Sequence, residues 1–136
     1  INSLADAVAR GARAMFRQQG AGAQLLLHRL LAAENIEPEQ VTTAGGVAAT
    51  GQDLALAIRA GAADWGIVTR AVAETHGLGY TPITWEHFDL VVRRRSYFEP
   101  GIQALMRFLP SADFRDRTAA LGGYDIAGIG DVRHNS

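Results

Sequence analysis

Between Ala48 and Val68 the chain reads AATGQDLALAIRAGAADWGIV, and no other stretch restricts its fold as much. Thr50, followed three residues later by Asp53, has the spacing that caps a helix N-terminus. Leu54, Ala57 and Ile58 recur at helical spacing and predict a buried face. Gly61 stands where a helix ends with a left-handed residue. Trp65–Val68 follows as a short strand of small and apolar residues. A capped helix passing straight into a buried strand is half of an alternating α/β unit. Such a unit also places a helix N-terminus at the mouth of a cleft, where backbone N–H groups hold small ligands, often anions.

The same alternation runs through the rest of the chain. Asn2 or Ser3, the latter with Asp6 three residues on, caps a short helix over Leu4–Ala9 that Gly11 ends. Ala12–Arg17 reads as a strand, Gln18–Gly22 as a turn, and Ala23–Glu34 as a helix with Leu25, Leu26, Leu30 and Leu31 as its buried positions. Val41–Ala44 predicts a short strand ahead of Gly45 and Gly46. Thr69 or Arg70 opens a helix to His76, closed by Gly77. Phe88–Arg94 predicts a strand whose continuous Leu90-Val91-Val92 implies a sheet covered on both faces. Glu99-Pro100 starts a helix over Gly101–Leu109, Asp113–Leu121 predicts another, and the glycine-rich tail Gly122–Ser136 reads as irregular. The predicted class is α/β, with a mixed sheet flanked by helices.

Composition removes several function classes. At 136 residues the chain fits one domain with a core of its own. A formal net charge of −1 gives no basis for nucleic-acid binding, and Arg93-Arg94-Arg95 reads as a solvated edge. Without cysteine there is no disulfide framework, thiolate metal site or cysteine nucleophile. No apolar run has the length of a membrane helix, and no signal peptide is recognisable. Opening on Ile1 instead of Met, the chain is expected to be a processed form, a fragment or an excised domain. A cytoplasmic location is expected, or a periplasmic one if an export signal stands upstream.

Catalytic chemistry has little to build on. His28, His76, His87 and His134 lack metal-ligand spacing, and Glu86-His87 has no third group to make an acid–base system. The serines have no nucleophile-elbow context. Gly20-Ala21-Gly22-Ala23 echoes a dinucleotide-binding turn but lacks its third glycine and downstream acid. Neither a metal nor a cofactor is expected, and no catalytic residue.

Four segments in order resemble one family. Gly20-Ala21-Gly22-Ala23-Gln24-Leu25-Leu26-Leu27 stands where that family has Gly-Ser-Gly-Thr-Arg and a leucine-rich helix. Ala55–Ile67 is similar to its AxAVxxGxADxGIG segment. Gly77–Ile83 with Glu86 and Phe88–Val91 resembles GLxFxPLxxExYDLV, and Gly122–Asp125 with Gly130–Val132 resembles the closing GGYDxxxxGEV. The family is the type 2 periplasmic-binding-protein-like domain of bacterial and archaeal regulators and molybdopterin-biosynthesis fusions, related to molybdate- and tungstate-binding proteins. The resemblance implies the second half of a two-lobed domain, with lobe two over about 12–87 and a return segment over about 88–136. It also implies a small-molecule or oxyanion ligand between lobes.

On that resemblance the candidate ligand residues are Gly20, Ala21, Gly22, Ala23, Thr50, Gly51, Thr69, Arg70 and Tyr124. Ala21, Ala23 and Gln24 replace the family's Ser, Thr and Arg, which removes two hydroxyl donors and a guanidinium clamp. Arg70 is the candidate to restore positive charge. Two functions follow. One is a non-catalytic sensor for a small ligand such as molybdate, acting on a covalently attached regulatory module. The other is a degenerate lobe serving as an interaction module, a homodimer that buries Leu90, Val92, Leu105 and Phe108. A secreted solute-binding protein of an importer is a third.

Overall fold

In the computed structural model, which describes residues 1–133, the chain divides into two compact units, one ending at Ile83 and the other starting at Thr84. The first unit carries α1 (Leu4–Ala9), β1 (Ala14–Arg17), α2 (Gly22–Ala33), β2 (Thr43–Ala48), α3 (Gly51–Arg59) and α4 (Arg70–Thr75). The second carries α5 (Pro100–Phe108) and α6 (Ala112–Leu121). The class is α/β, as the alternation predicts.

β1 and β2 pair in parallel, and a single parallel bridge joins Ala14 to Trp65 on the other side of β1. The Met15 N–H donates to the Trp65 carbonyl at 2.9 Å, and the Ala14 N–H to the Thr42 carbonyl at 2.8 Å. The order across the sheet is therefore β2, β1, Trp65 segment, with β1 in the centre. Among the described residues no antiparallel pair forms, so the expected mixed sheet is in fact parallel.

The glycine pair sets the register of β2. The predicted strand stopped at Ala44, but β2 continues through Gly45 and Gly46 to Ala48. Both glycines have positive φ, 78° and 73°, a region costly for a residue with a Cβ. Ala14 pairs with Thr43 and Phe16 with Val47, so the glycines are taken up as a bulge. The predicted strand Trp65–Val68 reduces to the Trp65 bridge, because β1 offers hydrogen bonds only around Arg13–Met15.

The core lies where α1 and α2 cover this sheet. Leu4, Ala14, Leu27, Leu31 and Val41 form a buried cluster, with Val8, Phe16, Ile36, Trp65 and Ile67 packed against it. α2 buries Gln24, Leu27 and Leu31, whereas Leu25 is 56% exposed and Leu26 and Leu30 are half-buried. With four leucines within six positions, hydrophobicity alone did not fix the rotation of the helix; the sheet selects the stripe at 24, 27 and 31. α3 contacts both strands and buries Leu54 and Ala55.

The second unit is organised differently. Among the described residues, none from Thr84 onward is buried. Phe88–Arg94 is no strand: Phe88 is 98% exposed and Val91 93% exposed. A strand needs a ladder partner for its N–H and C=O groups, and none is paired to this segment among the described residues. The two helices meet at an edge-to-face contact between Phe108 and Phe114, 5.7 Å between ring centres. Ser111 caps α6 by accepting from the Phe114 N–H.

Candidate functional site at the strand ends

All three parallel segments point their C-terminal ends to one edge of the sheet, and a helix starts just beyond each. α2 begins five residues after β1, α3 three after β2, and α4 follows the Trp65 segment. The chain leaves β1 towards β2, then returns across β1 to the Trp65 segment. In open α/β sheets the crevice at such a reversal, outside the C-terminal strand ends, is where ligands sit.

Measured approaches tie these ends together. A Cβ on Gly51, the first residue of α3, would stand 3.7 Å from Arg17 Nη1, 3.8 Å from Val68 Cγ1 and 3.9 Å from Val72 Cγ1. Arg17 closes β1 and reaches across β2: its Nε donates to the Ala48 carbonyl at 3.1 Å and its Nη2 to the Ala49 carbonyl at 2.9 Å. Its own N–H donates to Gln24 Oε1 at 2.9 Å. Gln24 is buried, and its amide nitrogen lies 3.1 Å from His28 Nε2. That side chain thus fastens α2 to the end of β1.

The two longer helices present different N-termini. Thr50 accepts from the Asp53 N–H at 3.1 Å and donates its hydroxyl to Asp53 Oδ2 at 2.7 Å, while the Thr50 N–H donates to the same oxygen at 2.9 Å. The Thr50 hydroxyl is engaged in this cap, and Asp53 puts a carboxylate on the positive end of α3. The residue preceding α2 is Ala21, which has no side-chain acceptor, so no side chain caps the helix. The first turn of α2, with Gly22 and Ala23, is the open one.

Thr69 makes no side-chain cap bond and precedes α4. Arg70 turns to its own helix: its Nε donates to Glu74 at 2.8 Å and its guanidinium lies 5.1 Å from the Tyr80 ring centre. Glu74 holds the Arg70 guanidinium further towards its charged form, by hydrogen bond and by charge. Its charge is therefore already answered by a carboxylate. Tyr124 belongs to the second unit and is half exposed, beside a turn closed by Asp125 accepting from the Ala127 N–H. Arg17 was not among the residues singled out from the sequence. Its signal is positional: a basic residue as the last member of an apolar strand, three residues before a glycine turn.

A separate cavity of about 240 Å³ lies at the far end of α2, bordered by His28, Leu31, Asn35, Ile36, Glu37 and Pro38, and no candidate ligand residue lines it. The Arg17 guanidinium stands at the strand edge instead. Among the described residues no three His, Asp or Glu side chains gather as a metal site, and no helix is long and apolar enough to cross a membrane. His134 lies outside the described residues.

The family profile described as the PBP superfamily domain matches residues 1–110. The chain belongs to that family. This PBP domain is also 28% identical over 120 residues to the uncharacterized protein YvgK of Bacillus subtilis (strain 168), an alignment covering 88% of the chain and 38% of YvgK. The PBP domain thus spans well under half the length of that relative. No solved structure matches it.

Proposed function

We propose that this PBP domain is a non-catalytic binder of a small solute, with an oxyanion such as molybdate as the leading class, and that it serves as the sensor lobe of a regulatory protein. One observation carries the reading: Arg17, Gly51 and Val68 converge at the strand ends, beside the uncapped start of α2. Gly20, Gly22 and Ala23 then supply backbone N–H groups, Ala21, whose N–H donates to the Gln18 carbonyl at 3.1 Å, shapes the turn, Gly51 allows close approach, and Thr69 adds a hydroxyl. Thr50 acts mainly by shaping α3, and Arg70 frames the rim. Closure on the ligand would bias an attached module.

A thermal-shift screen against molybdate, tungstate, sulfate, phosphate, small organic acids and neutral sugars tests this. A saturable rise in melting temperature is expected for at least one solute. Absence of any response, in this chain and in the longest natural polypeptide that contains it, would sink the reading.

A second reading is favoured by the second unit, which buries none of its described residues and exposes Phe88, Leu90, Val91 and Phe98. Here the chain is an interaction module, a homodimer joined through Leu90, Val92, Leu105 and Phe108. Light scattering that shows a monomer at high micromolar concentration would count against it.

A further inference from the structure

We propose that Arg17 is the specificity-determining residue of the strand-end cleft and commits it to an anionic ligand; this rests on the cleft reading above. All 13 basic side chains of the chain are arginines, and among the described residues Arg17 is the one that is not exposed. The ion pairs of the described residues use Arg10, Arg13, Arg70 and Arg117, each with a carboxylate. Arg17 appears in none of them. Its bonds to the Ala48 and Ala49 carbonyls satisfy two donors without neutralising the charge.

A partly desolvated guanidinium without a counter-charge is unfavourable, and such groups are normally paired. Clamping two carbonyls does not by itself require a formal charge, since a neutral donor also satisfies a carbonyl. An incoming anion supplies the missing counter-charge. The anchoring also defines the contact. With Nε and one N–H of Nη2 committed, Nη1 is left beside Gly51 and has no acceptor among the described residues. A guanidinium carries five N–H donors, so the two on Nη1 and the second on Nη2 remain to face oxygens of the ligand. The ligand class that fits is a small oxyanion or carboxylate, held by the charged Arg17 side chain and by neutral N–H donors of the first turn of α2. Arg70, paired to Glu74, contributes little to this selection.

The test compares the full 136-residue chain with Arg17→Lys and Arg17→Gln. Each is titrated with sodium molybdate, sodium sulfate and sodium acetate at constant ionic strength, and with a neutral sugar. Heat of binding and rise in melting temperature are read together, with far-UV circular dichroism as the check of folding. Wild type is expected to bind at least one anion. Arg17→Gln is expected to lose about tenfold or more in anion affinity, as befits a hydrogen bond to a charged group. Arg17→Lys keeps the charge and is expected to retain more of that affinity than Arg17→Gln, although both lose the carbonyl clamp and melt lower without ligand. A residue with only a structural role would lower both baselines and leave the anion-induced increment unchanged, which overturns the proposal. If Arg17→Gln does not fold, Arg17→Lys decides: a several-fold or greater loss of anion affinity supports direct contact from Arg17, and affinity equal to wild type overturns it. A wild type that answers only to the neutral sugar overturns the role of Arg17 while leaving the cleft reading standing.

Discussion

Arg13 and Asp64, 51 residues apart, lock the entry of β1 to the segment that leads into Trp65. Arg13 Nη2 donates to Asp64 Oδ1 at 2.9 Å and Nε to Oδ2 at 3.0 Å, a two-pronged contact. Both backbones take part: the Arg13 N–H donates to Oδ2 at 2.8 Å and the Asp64 N–H to the Arg13 carbonyl at 2.8 Å. Arg13 Nη2 also reaches the Gly61 carbonyl at 2.9 Å, covering the end of α3. One exposed pair therefore fixes where the third parallel segment meets the sheet.

Acid should release this lock. Hydrogen bonds from the Arg13 side chain, then from its backbone, hold Asp64 below the ordinary carboxylate value. Asp6 is held low as well, first by the Asn2 N–H and then by Arg10. A carboxyl whose folded value is depressed contributes fully above its unfolded value, about 4, and loses that contribution as pH falls through the folded value. Thermal melts should therefore show Asp64→Asn below wild type at neutral pH, with the gap closing in acid below about pH 4. A gap independent of pH would contradict this assignment.

Gly66 is demanded by packing. A Cβ there would stand 2.7 Å and 2.8 Å from the two Leu54 methyls and 3.0 Å from the Met15 carbonyl oxygen. Leu54 is fully buried and has no room to yield. Gly66→Ala is expected to cost about 1–3 kcal/mol in denaturant unfolding, as overpacking does.

The register of α2 can be checked in the same assay. Leu31→Ala is expected to cost about 2–5 kcal/mol as a cavity in the core, and Leu25→Ala to stay within about 0.5 kcal/mol. Equal losses would place the buried stripe elsewhere.

Removing the cap of α3 separates local structure from binding. Thr50→Ala should lower stability by about 1 kcal/mol and Thr50→Ser far less, because serine keeps the hydroxyl that Asp53 uses on both sides. A variant that leaves stability intact but abolishes a ligand response would instead return Thr50 to the ligand.

Hydrogen exchange should distinguish the two units. Amides over 84–93, where no strand forms, are expected to exchange much faster than those of β1 and α2. Strong protection of Phe88–Val92 would show that this segment has found a ladder partner.

Much was written in local chemistry. Ser3, Thr50, Gly61, Gly77 and Pro100 announced the helix ends, because capping depends on one residue and its own backbone. The alternation of elements gave the α/β class, and ordered motifs gave the family, for the same reason: each signal lies within a few residues. What needed the tertiary structure was every choice between equivalent local options. The sheet chose 24, 27 and 31 among the leucine-rich positions of α2, which periodicity left degenerate. Strand partners decided that Gly45 and Gly46 belong to β2 and that Phe88–Arg94 does not form a strand, since a ladder bond requires a distant backbone. Most of all, the pairing of the arginines needed the fold. Arg70 and Arg17 in sequence are both arginines beside a helix start; in space one meets Glu74 and the other meets two carbonyls and, among the described residues, no carboxylate. Electrostatic pairing is a property of distance, and only the fold sets it.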